Sequence, residues 1–129
     1  MSDDDFYARP ILSVRDVRSS IAYYCDKLGF EKSWDSGDET LVIAQVGRNG
    51  LDIILDAESV IPRAAVPSVL SMSVSDLEAL HKELQDREAK ITAAPFAVQW
   101  QEGINQFDVE DLDGNVLVFW GDEPAGQTA

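Results

Sequence analysis

Leu12–Ser13–Val14–Arg15–Asp16–Val17 and Met72–Ser73–Val74–Ser75–Asp76–Leu77 are two copies of one pattern, 72 − 12 = 60 residues apart. Each is a short apolar alternation that ends in a polar step and an aspartate. Alternation reads as a strand, and an aspartate just before a periodic apolar run reads as a helix start. After the first copy, Val17, Ile21, Tyr24, Cys25 and Leu28 recur at helical spacing, and Gly29 is placed to end the helix. After the second copy, Leu77, Leu80, His81 and Leu84 form the matching stripe, with Ile21 falling on His81 and Tyr24 on Leu84 at the same offset.

The order of elements repeats as well. Strands are expected at Ala8–Val14, Phe30–Trp34, Thr40–Val46 and Leu51–Leu55. They are expected again at Ser68–Val74, Lys90–Thr92, Asn105–Val109 and Val116–Trp120. Ser36–Gly37–Asp38, Arg48–Asn49–Gly50 and Asp113–Gly114–Asn115 supply the turn residues between strands. The economical reading is an internal duplication of strand–helix–three strands, an α+β fold of two βαβββ modules. Residues 8–56 form module one, 57–67 a connection containing Pro62 and Pro67, and 68–120 module two. Residues 1–7 and 121–129 are expected to be flexible ends. Each module covers one sheet face with its helix, so the second faces are expected to curve into a shared cup with the helices outside.

Composition narrows the function. The 129 residues are 45% hydrophobic and 26% charged, as in a globular domain able to bury a core. Twenty-four acidic against ten basic residues give a net charge of −14, which argues against nucleic acid and against an anionic membrane surface. Such a charge keeps the chain soluble and attracts cations. Cys25 is the only cysteine, so no internal disulfide forms. The acidic Met1–Ser2–Asp3–Asp4–Asp5 is unlike a signal peptide, and a cytoplasmic location is expected. A single histidine leaves no Ser-His-Asp or Cys-His arrangement, and Gly47–Arg48–Asn49–Gly50 is not a phosphate loop. No catalytic residue is assigned.

The stretch Leu12–Val17, with Ser20–Ile21–Ala22–Tyr23–Tyr24 and Lys27–Leu28–Gly29–Phe30, resembles the N-terminal signature of the vicinal-oxygen-chelate superfamily. That superfamily holds glyoxalases, bleomycin-resistance proteins and extradiol dioxygenases. Phe107–Asp108–Val109–Glu110–Asp111–Leu112–Asp113–Gly114–Asn115 resembles its C-terminal signature, with Leu112 where a proline is usual. Size and pattern are nearest to the bleomycin-resistance-like members, many of which are homodimers with cups built from both chains.

The resemblance implies four metal-ligand positions, which fall on Arg9, on Asp52 or Ile54, on Val69 and on Val118. A guanidinium cannot ligate, and valines have no donor atom, so no metal and no other cofactor is expected. Strand parity directs Arg9, Ile11, Ser13, Asp52, Ile54, Val69, Ser71, Ser73, Val116, Val118 and Trp120 to the cup. Trp34 and Trp100 are expected to wall it.

The candidate ligand-binding set is therefore Ser13, Trp34, Asp52, Ile54, Ser71, Trp100, Val118 and Trp120. Such a lining suits a small organic ligand, with cationic or planar groups stacking on indole faces for about 0.5–2 kcal/mol per contact. The expectation is a metal-independent homodimeric binding protein, with a cationic antibiotic as one candidate ligand. The alternatives are an enzyme of the superfamily (lyase, isomerase or dioxygenase) with an atypical site, and a protein–protein module. His81 and Cys25 are expected to pack on the helix faces.

Overall fold

In the computed structural model, which describes residues 6–57 and 66–123, the chain runs β1 (Ile11–Ser13), α1 (Val17–Leu28), β2 (Glu31–Asp35), β3 (Ile43–Arg48) and β4 (Leu51–Asp56). It repeats as β5 (Val69–Ser73), α2 (Leu77–Asp86), β6 (Ile91–Ala97), β7 (Ile104–Glu110) and β8 (Val116–Asp122). The strands make two four-stranded mixed sheets, ordered β1-β4-β3-β2 and β5-β8-β7-β6. In each the first strand is parallel to the last, and the other pairings are antiparallel. This is the βαβββ duplication in an α+β fold. Most of the connection at 57–67, the first five residues and the last six lie outside the described residues.

The helices start and stop where local chemistry directs. The Asp16 carboxylate accepts from the Ser19 N–H, and the Asp76 carboxylate accepts from the Ala79 N–H. A cap of this kind contributes about 1 kcal/mol. Gly29 takes the left-handed conformation at φ 72° that ends α1.

Strand parity holds. Leu12 is fully buried under α1, while its neighbour Ile11 is 37% exposed on the other face. Ile53 and Leu55 likewise turn inward beneath the helix. The helix-side residues of both modules form one core, in which Leu12, Val17, Tyr24 and Leu55 join Leu84, Phe107, Val109 and Leu117.

Some boundaries differ from the sequence expectation. The Thr40 region is a short 3-10 turn, Asp38–Thr40, and β3 begins only at Ile43. Strand β6 runs to Ala97 despite Pro95. It lies at the sheet edge, where a missing N–H costs no ladder bond, and its register shifts between Ile91 and Ala93 and between Ala93 and Phe96. Strand β8 continues through Gly121 and Asp122, and the Glu123 N–H reaches the Gly103 carbonyl. Among the described residues no helix is long and apolar enough to cross a membrane.

Candidate functional site

The two modules meet on their helix sides. The Tyr24 hydroxyl donates to Asp111 Oδ2 at 2.8 Å, and the Tyr23 hydroxyl donates to the Glu110 carbonyl at 2.8 Å. Arg15 donates from its backbone N–H and its Nε to Asp113 Oδ1, both at 2.9 Å. Asn115 Nδ2 donates to the Ser13 carbonyl at 3.2 Å. Asp111 also accepts from the backbone N–H groups of Asp113 and Asn115, so one carboxylate shapes the β7–β8 turn and receives the helix. On the other side Arg48, at the end of β3, forks onto Glu83 of α2 at 2.6 and 2.9 Å and also donates to the Leu28 carbonyl. Burial pushes the Tyr24 phenol well above its ordinary pKa, with Asp111 adding to the effect.

This packing leaves the second face of each sheet without a covering helix, although Gln45 and Ile54 are buried on the module-one face. On module one that face carries Tyr7, Arg9, Ile11, Ser13, Trp34, Gln45, Asp52 and Ile54, by register and contact. Gln45 is central. Its Oε1 accepts from Arg9 at 3.0 Å and from the Trp34 indole N–H at 3.2 Å. Asp52 accepts from the Tyr7 hydroxyl, and that bond holds the Tyr7 phenol above its ordinary pKa. The Asp52 carboxylate lies across the facing strand at Gly47, where a Cβ would come within 2.5 Å of its Oδ1.

On module two the uncovered face carries Val69, Ser71 and Ser73 of β5 beside Val116, Val118 and Trp120 of β8. Gln106, opposite Trp120, donates to Asp108 at 3.1 Å, and Phe96 lies beyond Gln106 on β6. Val69 is 69% exposed, while Val116, Val118 and Trp120 are half-buried.

Of the residues singled out in the sequence, Ser13, Trp34, Asp52 and Ile54 share the module-one face, and Ser71, Val118 and Trp120 share the module-two face. Trp100 stands in the β6–β7 loop, 77% exposed. Tyr7, Gln45, Phe96, Gln106 and Asp108 belong to the same two faces and escaped the sequence reading. Gln45 and Gln106 were accessible to parity counting on β3 and β7; Tyr7 precedes the first strand and carried no such signal. His81 packs its ring on Phe107 at 5.1 Å. Cys25 is half-buried, and burial raises its thiol pKa.

The side chains at the implied metal positions do not fit a divalent ion. Arg9 is engaged with Gln45, Asp52 with Tyr7, and Ile54, Val69 and Val118 have no donor. Among the described residues no three His, Cys, Asp or Glu side chains group closely enough to hold one.

A family model described as the Glyoxalase/Bleomycin resistance protein/Dioxygenase superfamily matches residues 7–119. No curated protein matches the chain. Among solved structures the chain is similar to a glyoxalase/bleomycin resistance protein/dioxygenase from Alicyclobacillus acidocaldarius, with a TM-score of 0.73, 15% identity and 100% of both chains covered. It is similar to TioX from Micromonospora sp. ML1, with a TM-score of 0.72, 17% identity, and 93% of this chain and 98% of that one covered. A superfamily member from Sphaerobacter thermophilus gives a TM-score of 0.71 at 21% identity, covering 92% of this chain and 98% of that one. These likenesses show the fold, and the family match spans both modules: the chain belongs to the glyoxalase/bleomycin resistance protein/dioxygenase superfamily.

Proposed function

We propose that this chain is a metal-independent small-molecule-binding protein whose ligand sites form when two copies pair. The observation that carries the reading is the donor set on the uncovered sheet faces: an arginine, valines and one tyrosine-bonded aspartate stand where a chelated ion would need several free ligands. What those faces offer instead is apolar and aromatic surface with a few fixed polar groups, the make-up of an organic ligand pocket.

Pairing of copies is supported by exposure. Ile11, Trp34, Val69 and Phe96 are all exposed in the single chain. Apolar residues clustered on a sheet face favour burial against a partner. The module-one face of one copy, set against the module-two face of another, would enclose Trp34, Asp52 and Gln45 opposite Ser71, Val118 and Trp120.

A cationic, partly aromatic molecule is the favoured ligand class. The net charge of −14 attracts it, the indoles stack on it, and Asp52 and Asp108 receive its charge. Titration of the intact protein with metal-free bleomycin, followed by Trp fluorescence and by calorimetry, tests this. Saturable binding that weakens in Trp120→Ala and Asp52→Asn supports the reading. Absence of binding together with turnover of a superfamily-type substrate would instead favour the enzyme alternative.

A further inference from the structure

The last hairpins of the two modules differ in length. The β7–β8 turn spans the five residues Asp111–Asn115, whereas the β3–β4 turn has only Asn49 and Gly50, a difference of 5 − 2 = 3 residues. The long turn seats against the start of α1. The short turn faces the start of α2, and there a cavity of about 370 Å³ remains. Its lining includes Asn49 and Leu51 from the short hairpin, Ser73 and Ser75 before the helix, Ala79 on the helix and Phe119 beneath it.

The filled counterpart shows what the empty place recognises. At α1 the Arg15 backbone N–H donates to Asp113, and the Ser13 carbonyl accepts from the Asn115 amide. The equivalents, 60 residues on, are the Ser75 N–H and the Ser73 carbonyl, and both residues line the cavity. The parallel ladder confirms the direction of that carbonyl. Ser68 O and Val74 N bond across to β8, so Ser73, an odd number of residues from both, turns its backbone groups off the sheet edge. The two helix entries also match in backbone, with φ −139° at Asp16 and −135° at Asp76.

Charge separates the two places. Asp113 is tolerated beside Asp16 because the Arg15 guanidinium lies on it at 2.9 Å. At the cavity Ser75 replaces that arginine, Asp76 stays beside it, and Arg48 is already taken by Glu83. Arg48 also lines the cavity, but its guanidinium is paired with Glu83, so an anion there would meet the Asp76 and Glu83 carboxylates with no unpaired cation among the lining residues.

We propose that the cavity between the β3–β4 turn and α2 is a second binding site, distinct from the uncovered sheet faces, for an uncharged molecule that joins a carboxamide to an apolar ring. The carboxamide oxygen accepts from the Ser75 N–H, its nitrogen donates to the Ser73 carbonyl, and the ring lies on Leu51, Met72 and Phe119.

Benzamide is the probe, titrated into the intact chain and followed by amide NMR shifts, with benzoate as its charged isostere. Saturable shifts at Ser75, Ala79 and Leu80 are expected, with benzoate at least about tenfold weaker, a difference of about 1.4 kcal/mol. Ala79→Leu, on the exposed helix side of the cavity, removes the benzamide response. Lengthening the β3–β4 turn by Leu-Asp-Gly after Asn49 removes it too and raises the melting temperature. Equal binding of benzoate, a response that survives both variants, shifts confined to the Val69 and Val118 face, or no shifts at all would each overturn the proposal.

Discussion

The Tyr24 hydroxyl bonds Asp111 across 87 residues of sequence, joining the helix of the first module to the last turn of the second. Both partners are buried. Removing the hydroxyl with Tyr24→Phe leaves the ring packing on Phe30 and takes one donor from a buried carboxylate. The expected cost is about 1.5–3 kcal/mol, read as a lower denaturation midpoint with an unchanged denaturant slope. A cost near zero would mean that the modules do not depend on this bond.

Gly29 has two reasons to be glycine. Its φ is 72°, and a Cβ there would meet Arg48 Nη1 at 2.5 Å. Gly29→Ala is expected to destabilise by about 1–2 kcal/mol from backbone conformation alone, with displacement of Arg48 added. Combining it with Arg48→Ala relieves the second part only. The double variant should therefore lose less than the sum of the singles in thermal denaturation.

Much of the fold was legible because local chemistry and burial agree. The aspartate starts, the helical stripes and the alternation of Ile11 with Leu12 each follow from one stretch of chain. Strand β6 runs past the expected Lys90–Thr92 to Ala97, through Pro95 and two register shifts that its edge position tolerates and that local alternation does not reveal. The polar network was only half legible for a different reason. Gln45 receives Arg9 from the segment before β1 and Trp34 from β2, and which residues stand side by side depends on register. How the modules sit together is set by contacts such as Arg15 with Asp113, 98 residues apart, which no local pattern encodes.

Glu83 accepts from both Arg48 and Arg87, and these bonds hold its carboxyl below the ordinary value of 4.5. A carboxyl lowered in the folded state adds stability above its unfolded pKa. That stability disappears as pH falls through the lower folded value. Wild-type stability should therefore fall on acidification below about pH 4.5 more steeply than that of Glu83→Gln, whose side chain does not titrate. Parallel acid limbs in urea denaturation would contradict this.

Val69 offers a test of pairing that leaves the single chain intact. At 69% exposure it contributes little to the core, so Val69→Asp should change monomer stability by no more than about 0.5 kcal/mol. Placed in a buried interface, the same carboxylate is unpaired and costly. Sedimentation should show the wild type as a dimer and the variant shifted toward monomer, with bleomycin binding weakened in parallel. A monomeric wild type, or a variant that pairs as well as wild type, would remove the shared-site account.

Metal content bears directly on whether the sheet faces hold an ion. The protein, incubated with zinc, nickel, manganese and ferrous iron and then dialysed, is analysed by inductively coupled plasma mass spectrometry. Only a small fraction of an ion per chain is expected, unchanged by Asp52→Asn. One tightly held ion per chain, lost in that variant, would contradict this.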